Sequence, residues 1–255
     1  MPDSPKGKYT TTADFYLSIA MGLAVVDNFS QINKFGRNTD IDTAAAEDIW
    51  SQGGTWAAPT TARTHNLVSS SLNDAAAGSG ARTVEVYGLD ANGVFQNETV
   101  TLNGTTDVAT ADTYTMIHRM IVRTAGATGS NEGTVTATAA TDATVTAAIA
   151  IGVNQSQMAI FQIPANYNAY LMQYYGAMNR SSPTGASDMD LIIKPPGEVF
   201  QQKHHIGMLS AGTSHFSHYF VPPLSVDALS IIKLRADASA NNIDVSGGFD
   251  VVLRA

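Results

Sequence analysis

The sequence predicts an all-β fold, with two antiparallel β-sandwich domains of an immunoglobulin-like or jelly-roll-like kind behind an extended N-terminal arm. Three observations predict it. Apolar and polar residues alternate over short stretches of the 255-residue chain, as they do in half-buried strands. Turn-forming Gly, Asn and Pro separate these stretches at the spacing of a sandwich. The sequence shows no helical heptad and no strong 3.6-residue periodicity.

Residues 1–62 are predicted to form the arm. They combine a polar start, an Asn/Asp/Thr-rich run at 38–43 and a Gly/Trp/Pro segment at 53–59, which is poor material for a standalone core. The candidate interface anchors are Phe35, Trp50 and Trp56, whose ordering requires contacts made on another surface. Deleting the arm is therefore expected to leave the sandwiches folded and to abolish attachment to that surface.

An apolar stretch at 15–26 lies inside the predicted arm. It is too short to span a bilayer. Asp14 precedes it and no clear cleavage site follows it, so export through this stretch is not expected. It is interpreted as a short apolar helix or strand that docks on the body of the protein or on a neighbouring subunit.

Residues 63–153 are predicted to form the first sandwich. The clearest element is a hairpin, in which the alternation at 82–87 resumes at 94–102 after a Gly-rich turn that contains Asn92-Gly93; Asn-Gly tolerates the positive φ of such turns. Further strands are predicted at 113–123, 133–139 and 144–151. The stretch 67–77 could be a strand followed by a loop, and the sequence does not decide this.

Residues 154–255 are predicted to form the second sandwich. The predicted strands are 157–163, 169–178, 188–194, 199–208, 214–221, 229–234 and 243–253. Prolines at 164, 183, 195–196 and 222–223 fall at the joints, where a missing N–H does not break a ladder. A single interleaved fold is the alternative. The aromatic residues of this half are either core or an exposed binding surface, and sequence does not separate the two.

Composition excludes several classes of function. The chain has no Cys, which removes disulfides, Cys-based zinc sites and thiol nucleophiles. A net charge of −8 argues against nucleic-acid binding. No nucleophile motif, phosphate-binding loop or paired carboxylates appear, so the protein is not expected to be an enzyme or to carry a cofactor. Charged residues make up only 14% of the chain, which favours a surface covered by neighbours.

Two groups of residues are candidate metal sites. His204 and His215 are the candidate ligands from the histidines at 204, 205, 215 and 218, since strand parity lets at most one member of each close pair share a face. The run Asn38-x-Asp40-x-Asp42, with Glu47 beyond, resembles the start of a calcium loop but lacks its Gly. An Asx turn and a helix N-cap for 44–49 explain that run equally well.

Several segments resemble a family of small virion-type proteins common in tailed bacteriophages of aquatic bacteria. The segments are 33–43, 47–50, 53–56, 80–92, 99–105, 210–216 and 246–250. The resemblance implies a virion component, and no catalytic residue is carried over from it. Capsid decoration (cement) proteins, head or tail fibres and head–tail accessories all fit it.

The expectation is therefore a structural virion protein that decorates or cements the capsid through its arm. The resemblance further implies a homotrimer that contacts the major capsid protein or other virion proteins, located in a particle assembled in the host cytoplasm. Nucleic acid and membrane are not expected partners. The alternative is a fibre or head–tail accessory protein that binds host-surface glycan, and a polysaccharide depolymerase is a distant third.

Overall fold

A computed structural model describes residues 29–179, 185–210 and 214–255. Within these ranges the chain forms sixteen β-strands and no α-helix, which confirms the predicted all-β class. The strands are β1 (Phe29–Ile41), β2 (Glu47–Asp48), β3 (His65–Ser69), β4 (Ala81–Leu89), β5 (Phe95–Thr101), β6 (Val108–Ala109), β7 (Met116–Ala125), β8 (Val135–Ala139), β9 (Thr144–Ile149), β10 (Ile160–Gln162), β11 (Asn168–Asn179), β12 (Ala186–Lys194), β13 (Gln201–Leu209), β14 (His215–Val226), β15 (Ile231–Ala238) and β16 (Ile243–Arg254).

Strands β3 to β9 build the first sandwich from two antiparallel sheets. One sheet has the order β6-β3-β8-β9 and the other β5-β4-β7. Leu67 and Ala137 from the first sheet and Val84 and Met120 from the second share one buried core. The alternation of the strands thus places one apolar face of each sheet against the other.

The predicted hairpin is confirmed as β4 and β5. Val84 and Val86 are fully buried, while Glu85 between them faces away. In the turn, the carboxylate of Asp90 accepts hydrogen bonds from the amides of Asn92 and Val94, each at 2.8 Å, and Gly93 has φ 74°. The positive φ is the feature that Asn92-Gly93 predicted, and the Asx-type hydrogen bonds of Asp90 add to it.

The second sandwich contains the remaining strands. One sheet has the order β1-β16-β11-β14; the other has the order β10-β15-β12-β13, with β2 also paired to β15. Leu171 and Val251 from the first sheet and Leu191 and Leu234 from the second lie in a common core. Two of its strands, β1 and β2, come from the segment that the sequence predicted as an arm.

The arm prediction is wrong for residues 29–62. Strand β1 pairs along its length with β16, from Phe29 opposite Arg254 to Ile41 opposite Ile243. Alternation did not reveal β1 because its buried positions are occupied by Lys34, Gly36 and Asn38 rather than by apolar residues. Residues 1–28, including the apolar stretch 15–26, lie outside the described residues, and for them the arm stays a prediction.

A short seam joins the two sandwiches. Ile49 donates its amide to Leu234 O at 3.0 Å, and its carbonyl accepts the amide of Ala159 at 2.9 Å. Successive side chains then enter different cores: Ile49 and Ala159 lie in the core of the second sandwich, whereas Trp50 and Met158 lie in that of the first. The two-residue period of extended chain lets one segment contribute to both cores.

Gly36 is required where β1 crosses this seam. A Cβ at this position would lie 2.1 Å from the carbonyl oxygen of Ile49 and 2.4 Å from the amide nitrogen of Ala159.

The predicted domain limits, 63–153 and 154–255, fall between the strand groups of the two sandwiches. Whether each group folds as an independent domain stays a prediction.

Candidate interaction surface

The two predicted Trp anchors lie in the core of the first sandwich. Trp50 and Trp56 are both buried; the Trp56 indole donates to Thr146 O at 2.9 Å and the Trp50 indole to Gly54 O at 3.1 Å. Their predicted role on another surface is therefore corrected, since the same chain covers them. The sequence indicates that these rings require a surface that covers them. It does not show that this surface belongs to the same chain.

Phe35, the third predicted anchor, is half-buried on β1. The guanidinium of Arg119 lies 6.0 Å from the centroid of its ring, within the range of a cation–π contact. Arg119 belongs to β7 of the first sandwich, so this contact also links the two halves of the protein. An interface role for Phe35 stays a prediction.

The predicted calcium run lies at the end of β1. The side chain of Asn38 accepts the amide of Asp40 at 3.0 Å and donates to Glu47 Oε2 at 2.9 Å. The predicted Asx-type hydrogen bonding is thus present. The helix cap that accompanied it is wrong, because Glu47 and Asp48 form β2 and pair with β15. Glu47 instead accepts the amide of Gly54 at 2.6 Å and holds the following loop.

Strands β13 and β14 are neighbours at the open side of the second sandwich. Each is the last strand of its sheet: β14 pairs with β11, β13 pairs with β12, and no described strand pairs with the other edge of either. They face one another across the sandwich, as the contact between His204 and His218 shows. We call the unpaired edge of β14 and its outward face the edge surface.

The histidines sort between the two sides of these strands by parity. His204 on β13 and His218 on β14 point inward, and their rings stack with centroids 4.1 Å apart. The Tyr174 hydroxyl hydrogen-bonds to Nδ1 of His204. Burial, and then the neighbouring His218, lower the pKa of His204, so His204 favours the uncharged state.

His215 does not join this pair. It lies opposite Ala177 and is exposed on the other face of β14, three positions from His218. The candidate metal pair His204 and His215 is therefore not brought together, and His218 takes the place beside His204. Among the described residues no group of three or more His, Cys, Asp or Glu is arranged to hold a metal ion.

The outer face of β13 carries a small charged cluster. His205 Nδ1 lies 2.8 Å from Asp190 Oδ1, and Arg235 contacts the other oxygen of Asp190 at 3.2 Å. The hydrogen bond that His205 donates to Asp190 raises the pKa of His205. Acidic and basic side chains therefore lie beside one another in this cluster. The cluster includes β13 and does not extend to β14.

Strand β14 carries exposed apolar groups and no Asp, Glu, Lys or Arg in its twelve residues. Tyr219 is 60% exposed and Val221 is 71% exposed; Leu209 on neighbouring β13 is 57% exposed. Natural edge strands are normally kept from pairing by charges, prolines, bulges or short length. From His215 to Tyr219, β14 has none of these features.

Two prolines protect only the far end of β14. The sequence placed Pro222 and Pro223 at a joint after a strand ending at 221, but both lie inside β14. The ladder with β11 passes from Tyr219 directly to Leu224, so these prolines fall in an irregularity. An edge strand tolerates this because only one side of it must supply ladder hydrogen bonds.

Sequence reasoning missed this surface although its signal was present. Tyr219 was recognised within the aromatic set of the second half, but alternation alone does not tell which face is covered by a second sheet. The absence of charge over 215–226 is the local signal that would have found it.

Within the described residues, no helix is long and apolar enough to cross a membrane.

Comparisons with known proteins add no family assignment to this geometry. The fold defines the chain as an all-β protein of antiparallel sandwiches. No family model matches the chain, and no curated protein matches it.

Several solved structures of virus particles resemble the chain, and the likeness is weak. T=1 particles derived from infectious bursal virus give a TM-score of 0.26 at 10% identity over 90% of this chain and 70% of that chain. The infectious bursal disease virus Gx strain gives 0.25 at 10% identity, over 90% of this chain and 73% of that chain. The VP2 subviral particle of that virus gives 0.23 at 10% identity, over 89% and 72%. TM-scores this low do not establish a shared fold or function.

Proposed function

We propose that this protein is a structural component of a virion and that it decorates or cements the capsid of a tailed bacteriophage. The edge surface is the observation that carries the proposal, because β14 offers an uncharged strand edge that carries exposed Tyr219 and Val221. The resemblance of the sequence to virion-type proteins supports it, as does the low charge of the chain. A protein surrounded by neighbours in a particle can keep such an edge without aggregating.

The proposed mode of attachment is the addition of a strand to β14. A strand from a neighbouring virion protein would hydrogen-bond along the edge from His215 to Tyr219, and the apolar side chains beside it would be covered. The neighbour is another copy of this chain in a homotrimer, the major capsid protein, or both. Main-chain pairing and apolar contact depend little on salt, so the attachment should persist at high ionic strength.

A density map of the intact particle tests the proposed location. Copies of the protein at the local threefold axes of the capsid are the expected result. Density at the tail, the collar or a fibre would contradict capsid decoration and would support the alternative, a fibre or accessory module that binds host-surface glycan. Exposed Tyr219 is the observation that favours this alternative, since aromatic rings stack on sugars.

A substitution on the edge surface tests the proposed mode of attachment. Tyr219→Asp puts a charge beside the strand edge and should weaken the binding of purified protein to particles that lack it by roughly tenfold or more. Leu72→Asp is the matched control, because Leu72 is an exposed apolar residue of the first sandwich. Equal binding by the two variants would show that the edge surface is not the attachment site.

A further inference from the structure

A cleft between the two sandwiches holds several basic groups. It has a volume of about 320 Å³ and lies between β1 and β10 on one side and β4, β5 and β7 on the other. Lys34, His118 and Arg119 are its basic residues, and Ile32, Phe95 and Phe161 are among its apolar residues. None of the residues that line it is an Asp or a Glu.

Lys34 is the least expected of these groups. Its side chain is only 3% exposed, and it forms no ion pair with any described carboxylate. Its Nζ donates a hydrogen bond to the main-chain oxygen of His118. Burial, and then the charge of Arg119, lower the pKa of Lys34 well below its usual range. A buried amine without a counter-charge is costly, and a negative group in the cleft would offset that cost.

His118 is buried in the same cleft and has an unused nitrogen. Its Nε2 is buried without a hydrogen-bond partner, and its ring packs 4.4 Å from that of Phe161. The main-chain hydrogen bond to Gln162 favours the charged ring, but burial and then the charge of Lys34 dominate and lower its pKa. Nε2 therefore keeps an unused hydrogen-bonding position on a residue that lines the cleft.

Arg119 provides the third basic group. One of its guanidinium nitrogens donates to Asn33 O at 3.0 Å, and no described carboxylate pairs with it. Tyr87, from β4, is the remaining titratable residue of the lining. In a chain with a net charge of −8, the cleft is therefore lined by three basic residues and by no Asp or Glu.

We propose that this cleft binds a small organic anion, a carboxylate joined to an apolar body about the size of a benzene ring. The carboxylate oxygens would accept hydrogen bonds from Lys34 and from protonated His118, and the apolar body would lie against Ile32, Phe95 and Phe161. A volume near the lower end of ligand pockets limits the ligand to this size. Phe95, partly exposed and edge-on to His118 at 5.7 Å, lies where the cleft meets solvent.

Calorimetric titration of the full chain with benzoate tests the proposal. Benzoate should bind, and benzamide, which has the same shape without the charge, should bind at least tenfold more weakly. Binding should take up protons, because an anion favours the charged forms of Lys34 and His118, and the heat should therefore vary with the ionisation enthalpy of the buffer. Equal affinity for the two compounds, or no proton uptake, would overturn the proposal.

Two further measurements locate the site. Lys34→Met should lower benzoate affinity by roughly tenfold or more, whereas Lys203→Met, on exposed β13, should leave it unchanged. Should Lys34→Met fail to fold, the ring ¹⁵N resonances of His118 in the unaltered protein decide the question. A shift on addition of benzoate supports binding in the cleft, and unshifted resonances at roughly 10 mM benzoate rule it out.

Discussion

Lys233 on β15 and Asp48 on β2 form an ion pair in the interior, with 2.6 Å between Nζ and Oδ2 and both side chains almost fully buried. The same oxygen of Asp48 accepts the amide of Trp56 at 2.7 Å. Burial raises the pKa of Asp48, and the nearby Lys233 opposes this effect without cancelling it. The pair therefore fastens β2 and the loop of Trp56 to the second sandwich.

Removing one partner of this pair should be strongly destabilising. Lys233→Met would leave a buried carboxylate without its counter-charge, which typically lowers the free energy of unfolding by about 3–5 kcal/mol. The double variant Asp48→Asn/Lys233→Met should recover much of that loss, because no lone charge is left behind. Urea unfolding of the single and double variants measures both effects.

The exposed ion pair between Arg37 and Asp244 provides the control. Its atoms are equally close, at 2.6 Å, but the side chain of Arg37 is about half exposed. Arg37→Met should cost no more than about 1 kcal/mol. A cost for Lys233→Met as small as that for Arg37→Met would contradict a structural role for the buried pair.

The corrected position of Trp56 predicts a loss of stability rather than a loss of attachment. Trp56→Ala should lower the free energy of unfolding by about 3–5 kcal/mol, since it leaves a cavity in the first core. Tyr219→Ala, at an exposed ring, should change it by no more than about 0.5 kcal/mol. Thermal or urea unfolding followed by circular dichroism compares the two variants. Equal stability of the two variants would contradict the buried position of Trp56.

Deleting residues 1–62 should, for the same reason, abolish cooperative unfolding. The deletion removes β1, β2, the Asp48 carboxylate and both Trp side chains from the two cores. The sequence by itself predicts the opposite outcome, with both sandwiches left folded. A sharp unfolding transition of the truncated protein would support that outcome.

His65 makes stability depend on pH. Burial lowers its pKa to about 4, below the value near 6.5 of an unfolded chain. Between these values the unfolded state binds a proton that the folded state does not, so stability is full above about pH 6.5 and declines as pH falls toward 4. The contribution is on the order of 3 kcal/mol.

The variant His65→Gln measures this contribution. It should flatten the dependence of unfolding free energy on pH between about 6.5 and 4, whatever its effect at neutral pH. His215→Gln, at an exposed position, should leave the dependence unchanged. An unaltered slope in His65→Gln would show that other groups produce the acid sensitivity.

Local patterns predicted most of the strands. The predicted stretches 82–87, 169–178 and 243–253 correspond to β4, β11 and β16, because apolar residues alternate where one face of a strand meets a core. Strands β1 and β2 were missed. Their inward positions hold Lys34, Asn38 and Asp48, whose burial is possible only through partners elsewhere in the chain.

The candidate site was predictable only in part. Strand parity correctly separated His204 from His205 and His215 from His218, since it depends on neighbouring residues alone. The meeting of His204 with His218 depends on how β12 and β13 pack against β11 and β14, and parity cannot choose between partners on different sheets. The exposure of Tyr219 was undetermined for the same reason.

By itself, the sequence determined the all-β class, the turns and the face of each alternating strand, because these features arise from sterics and periodicity within a few residues. The tertiary structure alone decided that β1 pairs with β16, more than two hundred residues away, that both Trp residues are covered by their own chain, and that Lys34 and His118 line the same cleft. Pairing between distant strands is selected by the packing of the whole core, and that selection leaves no local pattern in the sequence.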